Sequence, residues 1–186
     1  MTSYVRESEN LSYHCARLLI LIRFCGRPQK SQAGVLPGIE GRTLLAKLDF
    51  FLRYPAYLKK ACGICGFPAT SEDLGVSMVL EAGTVESRMV RYLYGPWDHV
   101  YYPALGYLIG KGLIEIEPHR RNEVFRITAE GMRAADQLAA LPAYEDLAKR
   151  ARTLYSLFKT SSGTSLKNFI YENFPEVVNR NIGSTI

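Results

Sequence analysis

The 186-residue sequence predicts a mainly α-helical fold with one small β-hairpin. Three observations carry this. Apolar residues recur three or four apart along most of the chain, the period of a helix with one buried face. Only the stretch 113–127 alternates apolar and charged side chains, the period of a strand. Glycine and proline cluster between the periodic stretches and punctuate them. The length suits a single domain, 1–186, able to bury a core without disulfides or metals. Within it the pattern separates N-terminal helices over 9–60, a central unit over 85–140 and C-terminal helices over 142–177.

The first helix is predicted from Glu9 to Cys25, on the spacing of Leu11, Cys15, Leu18, Leu19, Ile22 and Cys25. Gly26-Arg27-Pro28 ends it, and the glycines and prolines of 26–42 predict a loop. A second helix spans Thr43 to Tyr54, with Leu44, Leu48, Phe51 and Leu52 as its stripe and Asp49 and Arg53 paired on the other side. Pro55 breaks or kinks it, leaving a further turn through Tyr57 and Leu58. Residues 63–83 are expected to be irregular, and Val85 to Tyr94 reads equally as an extended segment or a short helix.

Gly95-Pro96 forces a turn, and Asp98 can cap a helix over 98–111 whose buried stripe is Tyr101, Leu105, Leu108 and Ile109. Pro103 is tolerated only near its first turn. The hairpin follows: Leu113 to Glu117, a polar turn at Pro118 to Asn122, then Glu123 to Ile127. Glu115 or Glu117 can meet Arg126 across it. Thr128 caps the next helix. Pro142 opens a helix in which Tyr144, Leu147, Ala148, Ala151, Leu154, Tyr155 and Phe158 form one face. A last short helix carries Leu166, Phe169, Ile170 and Phe174, and the tail from Asn179 is expected to be loose.

Helix, glycine-lysine-glycine exit, hairpin and capped helix is the order of a winged helix. The string LIGKGLIEIEPHRRNEVFRITAEG at 108–131 resembles the recognition helix, wing and following helix of winged helix-turn-helix domains. The fold class expected is therefore a winged helix-turn-helix-like domain flanked by N- and C-terminal helices.

The longest aliphatic run, Leu18 to Ile22, is far short of the ~20 residues of a membrane span. The opening MTSYVRESENLS carries two glutamates before any apolar run, which predicts no secretory signal. A cytoplasmic protein with four reduced cysteines is expected. Cys62-Gly-Ile-Cys65 has the spacing of zinc and redox pairs, but no further ligands stand at zinc spacing and no βαβ pattern surrounds it. The plain alternative is two small residues at a helix end. Net charge is +5, a mild basic excess concentrated in 17–60 and 149–180. Any electrostatic footprint is thus expected on the terminal helices.

At the wing tip, His119, Arg120 and Arg121, with Arg126 behind them, are candidate DNA contacts. Glu115, Glu117 and Glu123 beside them would repel phosphate, and a solvated turn is the plain alternative. The presumed recognition helix offers only Asp98, His99 and Lys111 as strongly polar side chains, a poor outfit for reading bases. Its tyrosines suit a protein partner better. The most distinctive segment is 88–98, with Arg88, Arg91, Tyr92, Tyr94, Trp97 and Asp98, followed by Tyr101 and Tyr102. Trp, Tyr and Arg dominate binding hot spots, so these eight residues are the candidate partner-binding set. The competing reading is that Trp97 staples the turn to the core. No nucleophile elbow, Walker sequence or H-E-x-x-H is present, so no catalytic residue, metal or cofactor is expected.

Five strings in order carry a resemblance: ARLLILIRFCG at 16–26, TLLAKLDFFLRYPAYL at 43–58, ESRMVRYLYGPWDHVYY at 86–102, the wing string, and LKNFIYENFPEV at 166–177. Together they resemble the middle component of ABC-three-component, Lamassu-type anti-phage defence systems. AKLDFFLRYP and RYLYGPWD are the most specific pieces. The resemblance implies a non-catalytic adaptor bridging an SMC-like (Rad50-like) ATPase and an effector, often a nuclease, with double-stranded DNA contacted through the complex. The alternative is a stand-alone winged-helix DNA-binding transcriptional regulator, which would dimerise on a palindrome.

Overall fold

The computed structural model describes residues 10–31, 34–75, 88–119 and 122–186. Helix α1 (Leu11–Cys25) starts where the Asn10 side chain accepts the Ser12 N–H at 3.0 Å. Its residues from His14 to Ile22 are buried on every side, so α1 is the central rod of the molecule rather than an amphipathic surface helix. It packs against α6 (Pro142–Phe158), α4 (Tyr101–Gly110) and α5 (Ala129–Ala139).

The stretch expected to be a loop is a β-hairpin instead: β1 (Arg27–Ser31) pairs antiparallel with β2 (Gly34–Glu40). The prolines that argue for a loop, Pro28 and Pro37, sit opposite one another in register. Strand β1 lies at the sheet edge, where proline is tolerated, and the pairing of β2 with its other neighbour begins only after Pro37, at Gly38. Gly26 is required for the departure from α1, since a Cβ there would lie 2.3 Å from the Ile22 carbonyl oxygen.

The expected hairpin forms β5 (Ile114–His119) and β6 (Asn122–Ile127). Strand β6 also pairs with β2, giving one antiparallel sheet in the order β1-β2-β6-β5. Thr128 caps α5 through the Gly131 N–H at 2.9 Å.

Helix α2 (Gly41–Arg53) and α3 (Pro55–Ile64) meet at Tyr54. Proline at the first position starts α3, a ten-residue helix where only one further turn was expected. A second small hairpin, β3 (Val90–Tyr92) with β4 (Gly95–Trp97), resolves the ambiguous segment as extended; residues 85–87 lie outside the described residues. Helix α6 begins and ends where the periodicity predicts. Helix α7 (Gly163–Asn173) opens on a Ser162–Ser165 capping box, and Pro175 begins α8 (Pro175–Val178) rather than merely ending α7. Phe51, Phe158, Phe169 and Phe174 pack ring to ring at 5.2–6.3 Å and join α2, α6 and α7.

The tail is docked, not loose. Ile186 N–H donates to the Met89 carbonyl at 2.8 Å, Arg91 N–H to Ser184 at 2.8 Å, and Tyr54 Oη to the Ile186 carbonyl at 3.2 Å. The backbone groups of 183–186 thus pair with the β3 segment, which local sequence cannot reveal. Among the described residues no helix is long and apolar enough to cross a membrane.

Candidate functional site

The β3–β4 hairpin and the start of α4 gather the chain's most distinctive aromatics. Trp97 is half-buried, with ring centroids 5.2 Å from Tyr101, 6.2 Å from Tyr92 and 6.1 Å from Tyr102. Around it Tyr92, Tyr94 and Tyr102 remain 41, 62 and 57% exposed. Arg88 is also at the surface. Trp97 therefore staples the turn to the core with one part of its ring and leaves another part at the surface.

The remaining members of the predicted set turn inward. Tyr101 is fully buried and its hydroxyl donates to Asp49 Oδ2 at 2.7 Å, so it has no surface to offer a partner. Asp98 is not the helix cap that was expected: α4 starts only at Tyr101 with Val100 as its N-cap, and Asp98 Oδ1 accepts the Val100 N–H at 2.9 Å in the turn before it, while Oδ2 meets Arg53 at 2.6 Å. Arg91 is largely buried, donating from Nε to the Val178 carbonyl at 3.1 Å and lying over the Tyr171 ring. These three hold the hairpin and helix in place.

They do so through a charged knot whose burial the sequence reading did not anticipate. Asp49 and Arg53 pair as their i,i+4 spacing predicts, but inside the core. Asp49 is fully buried and accepts from Arg17 Nε at 2.9 Å, Arg53 Nε at 2.8 Å and Tyr101 Oη at 2.7 Å. His14 Nδ1 lies 2.7 Å from Arg17 Nη1. Burial alone would raise the Asp49 pKa; the guanidiniums of Arg17 and Arg53 and the donated hydrogen bonds override it and hold the carboxyl down at about 2. Nothing local in α2 announces this burial: with Lys47, Asp49 and Arg53 on it the helix reads as amphipathic, and yet every residue from Leu44 to Arg53 is buried.

On the opposite flank of α2 lies Lys47, 2% exposed. Its Nζ donates to the Pro96 carbonyl at 3.2 Å, reaching beneath the β3–β4 turn at Gly95. Gly95 has φ +101°, and a Cβ there would come within 3.3 Å of the Lys47 side chain, so turn geometry and lysine passage both favour glycine. Burial above all, with the nearby charges of Arg91 and Lys167, lowers the Lys47 pKa to about 7. Lys47 lines a cavity of about 300 Å³ with Arg42, Thr43, Tyr92, Tyr94, Gly95, Trp97 and Tyr102.

The basic footprint expected on the N-terminal helices is largely internal. Arg17, Lys47 and Arg53 are buried. At the surface Arg23 pairs with Asp136, Arg42 with Glu123 and Lys60 with Glu176. In the β5–β6 hairpin, Arg126 is buried and bridges Glu115 at 2.8 Å and Glu117 at 2.5 Å, so it is no free cation for phosphate. His119 is exposed; Arg120 and Arg121 lie outside the described residues. The outer side of α4 shows Tyr102, Gly106, Tyr107, Ile109, Gly110 and Lys111. Cys62 is buried and Cys65 exposed at the end of α3, both as free thiols. No cluster of three or more His, Cys, Asp or Glu stands ready for a metal among the described residues.

No family model, no curated protein and no solved structure matches this chain.

Proposed function

We propose that this chain is a non-catalytic adaptor subunit, a winged helix-turn-helix-like protein that docks on protein rather than reading bases. The observation that carries this is the surface of α4 and the neighbouring ridge. Tyr92, Tyr94 and Tyr102 are exposed around Trp97, and Tyr107 and Ile109 are exposed further along α4, where a base reader would present Arg, Lys, Asn or Gln. Support for the winged-helix architecture comes from the sheet. The strand between the first two helices, β2, pairs with the far strand of the hairpin, and α4 directly precedes that hairpin. The sequence resemblance to Lamassu-type middle components supplies the setting: a cytoplasmic anti-phage complex in which the chain joins an SMC-like ATPase to an effector nuclease. Double-stranded DNA is met through the complex, with the tip residues His119, Arg120 and Arg121 as its contacts on this chain.

The test is affinity capture of the chain from its native host, with nuclease present so that bridging DNA cannot mimic contact. Tyr94→Ser combined with Tyr102→Ser should lose the partners while the fold is kept, because both rings are exposed. Arg120→Glu combined with Arg121→Glu should leave assembly intact. Recovery of a self-paired chain alone, with salt-dependent affinity for one palindrome, would replace the adaptor with the regulator.

A further inference from the structure

The cavity under the β3–β4 turn has a use that docking does not require. Its floor holds a lysine 2% exposed, for which the structure shows, among the described residues, one neutral acceptor, the Pro96 carbonyl. The charges closest in effect, Arg91 and Lys167, repel it. A buried cation with no opposite charge is costly, and proteins normally pair it, as this one does with both arginines around Asp49. The walls are Tyr92, Tyr94, Trp97 and Tyr102, and Arg42 stands at the rim with its guanidinium 5.7 Å from the Tyr102 ring centroid, its Nε engaged by Glu123 at 2.6 Å, so it is the secondary cation of the site and Lys47 the principal one. At about 300 Å³ the space falls at the lower end of small-molecule sites. A lone carboxylate side chain would leave most of it empty.

We infer that this cavity binds a small anion carried on a flat ring, of nucleoside-monophosphate size, with the ring against the tyrosines and the anionic group on Lys47 and Arg42. Aromatic faces stack on any flat ring, and the anionic group supplies the negative charge that the cavity itself lacks. The inference goes beyond the adaptor reading and does not depend on it, since a chain with no partner would bind the same ligand.

Trp97 is the only tryptophan of the chain and stands in the cavity wall, so its fluorescence reports occupancy directly. The wild-type chain is titrated with uridine 5′-monophosphate, phenyl phosphate, benzoate, uridine and inorganic phosphate. The ring-bearing anions should change the emission saturably, and uridine and inorganic phosphate should bind at least roughly tenfold more weakly. Phenyl phosphate against benzoate decides whether the anion is a phosphate or a carboxylate; either order supports the site. Lys47→Met should bring uridine monophosphate down to the affinity of uridine. Arg42→Gln, a change at the exposed rim that leaves the core intact, should weaken it about three- to tenfold. No saturable response to any ring-bearing anion up to about 10 mM would overturn the inference. Inorganic phosphate binding as tightly as uridine monophosphate would do the same. So would an unchanged preference for uridine monophosphate over uridine in both variants.

Discussion

Asp49 and Lys47 lie two residues apart on α2, both buried, about 200° apart around the helix axis. Asp49 is met by two guanidiniums and a phenol, and one of those guanidiniums reaches on to Asp98. Lys47 is met by one carbonyl and faces a cavity. The first charge is closed into the fold and ties α1, α2 and α4 together. The second is left open, on the side where the exposed aromatics gather. A buried charge with its partners supplied is structural; one without them marks a place where the fold gives up stability for another use.

The sharpest way to break the comparison is Asp49→Asn. It leaves Arg17 in the core with an amide in place of its carboxylate, and Arg53 with Asp98 in place of two carboxylates. Breaking a buried ion pair in this way costs about 3–5 kcal/mol, a large part of a marginal domain's stability. Chemical denaturation followed by circular dichroism measures it, and a loss under about 1 kcal/mol would mean the knot contributes little. The same site sets the acid limit. The Asp49 pKa in the folded chain, about 2, lies below its usual value, so the unfolded state takes up the proton first. The stabilisation is full above the ordinary carboxylate range and is lost as pH falls towards 2.

Lys47 should shift stability in the same direction with pH but in a higher window, because here the fold penalises the ionised form instead of favouring it. Its folded pKa, about 7, is below the ordinary 10.5, so between those values the unfolded chain binds more protons and stability rises with pH. Below about 7 the full penalty is present. Lys47→Met removes it and should stabilise the chain by about 2 kcal/mol at pH 6, an advantage that shrinks as pH is raised towards 10. Thermal melts of both chains at the two pH values measure the difference directly. The loss of the bond to the Pro96 carbonyl is common to both conditions and cancels. An advantage independent of pH would show that Lys47 is not a strained charge.

The contrast also marks how far the sequence could be read. Helix α6, the β5–β6 hairpin and the Thr128 cap are encoded locally, in apolar period, alternation and a hydroxyl at the right place, and they stand where expected. The β1–β2 hairpin was hidden because Pro28 and Pro37 read as breakers until their register is known. The docked tail was hidden because its partners, Met89 and Arg91, lie about ninety residues earlier in the chain. The i,i+4 pair Asp49–Arg53 was legible, but its burial was not. Arg17 and Tyr101 arrive from 32 and 52 residues away. The aromatic segment was legible as a site, with Tyr92, Tyr94 and Tyr102 exposed. Of its inward members, Tyr101 already stood in the apolar stripe of its helix by spacing, whereas Arg91 and Asp98 carried no local sign of the partners that draw them in. Lys47 gave no local signal, since a lysine between Ala46 and Leu48 reads as the polar side of a helix.

A milder probe of the closed site is Tyr101→Phe, which keeps the ring in place against Trp97 and removes only the hydroxyl that donates to Asp49. Asp49 keeps both guanidiniums, so the expected cost is about 1–2 kcal/mol, the worth of one hydrogen bond to a charged acceptor. The acid midpoint should move up in step, because one of the interactions that hold the Asp49 pKa down is gone. A loss of stability without that shift would place the effect in packing rather than in the charged knot.

The smallest effect belongs to the surface pair Arg23–Asp136, at 3.0 Å between side chains 26 and 50% exposed. Its geometry is as good as that of Arg17–Asp49, at 2.9 Å, and it also joins α1 to a distant element, α5. Contact geometry therefore predicts equal worth for the two pairs, and only solvent separates them. Water screens the exposed pair and keeps each partner hydrated when the other is removed, so Asp136→Ala should cost about 0–1 kcal/mol and lose its effect at high salt. The Asp49 variant should lose several times more and respond little to salt, because its partners cannot rehydrate where they stand. Parallel denaturant titrations at low and high ionic strength measure both. Equal costs for the two variants would mean that burial is not what distinguishes the knot, and the contrast between Asp49 and Lys47 would lose its physical basis.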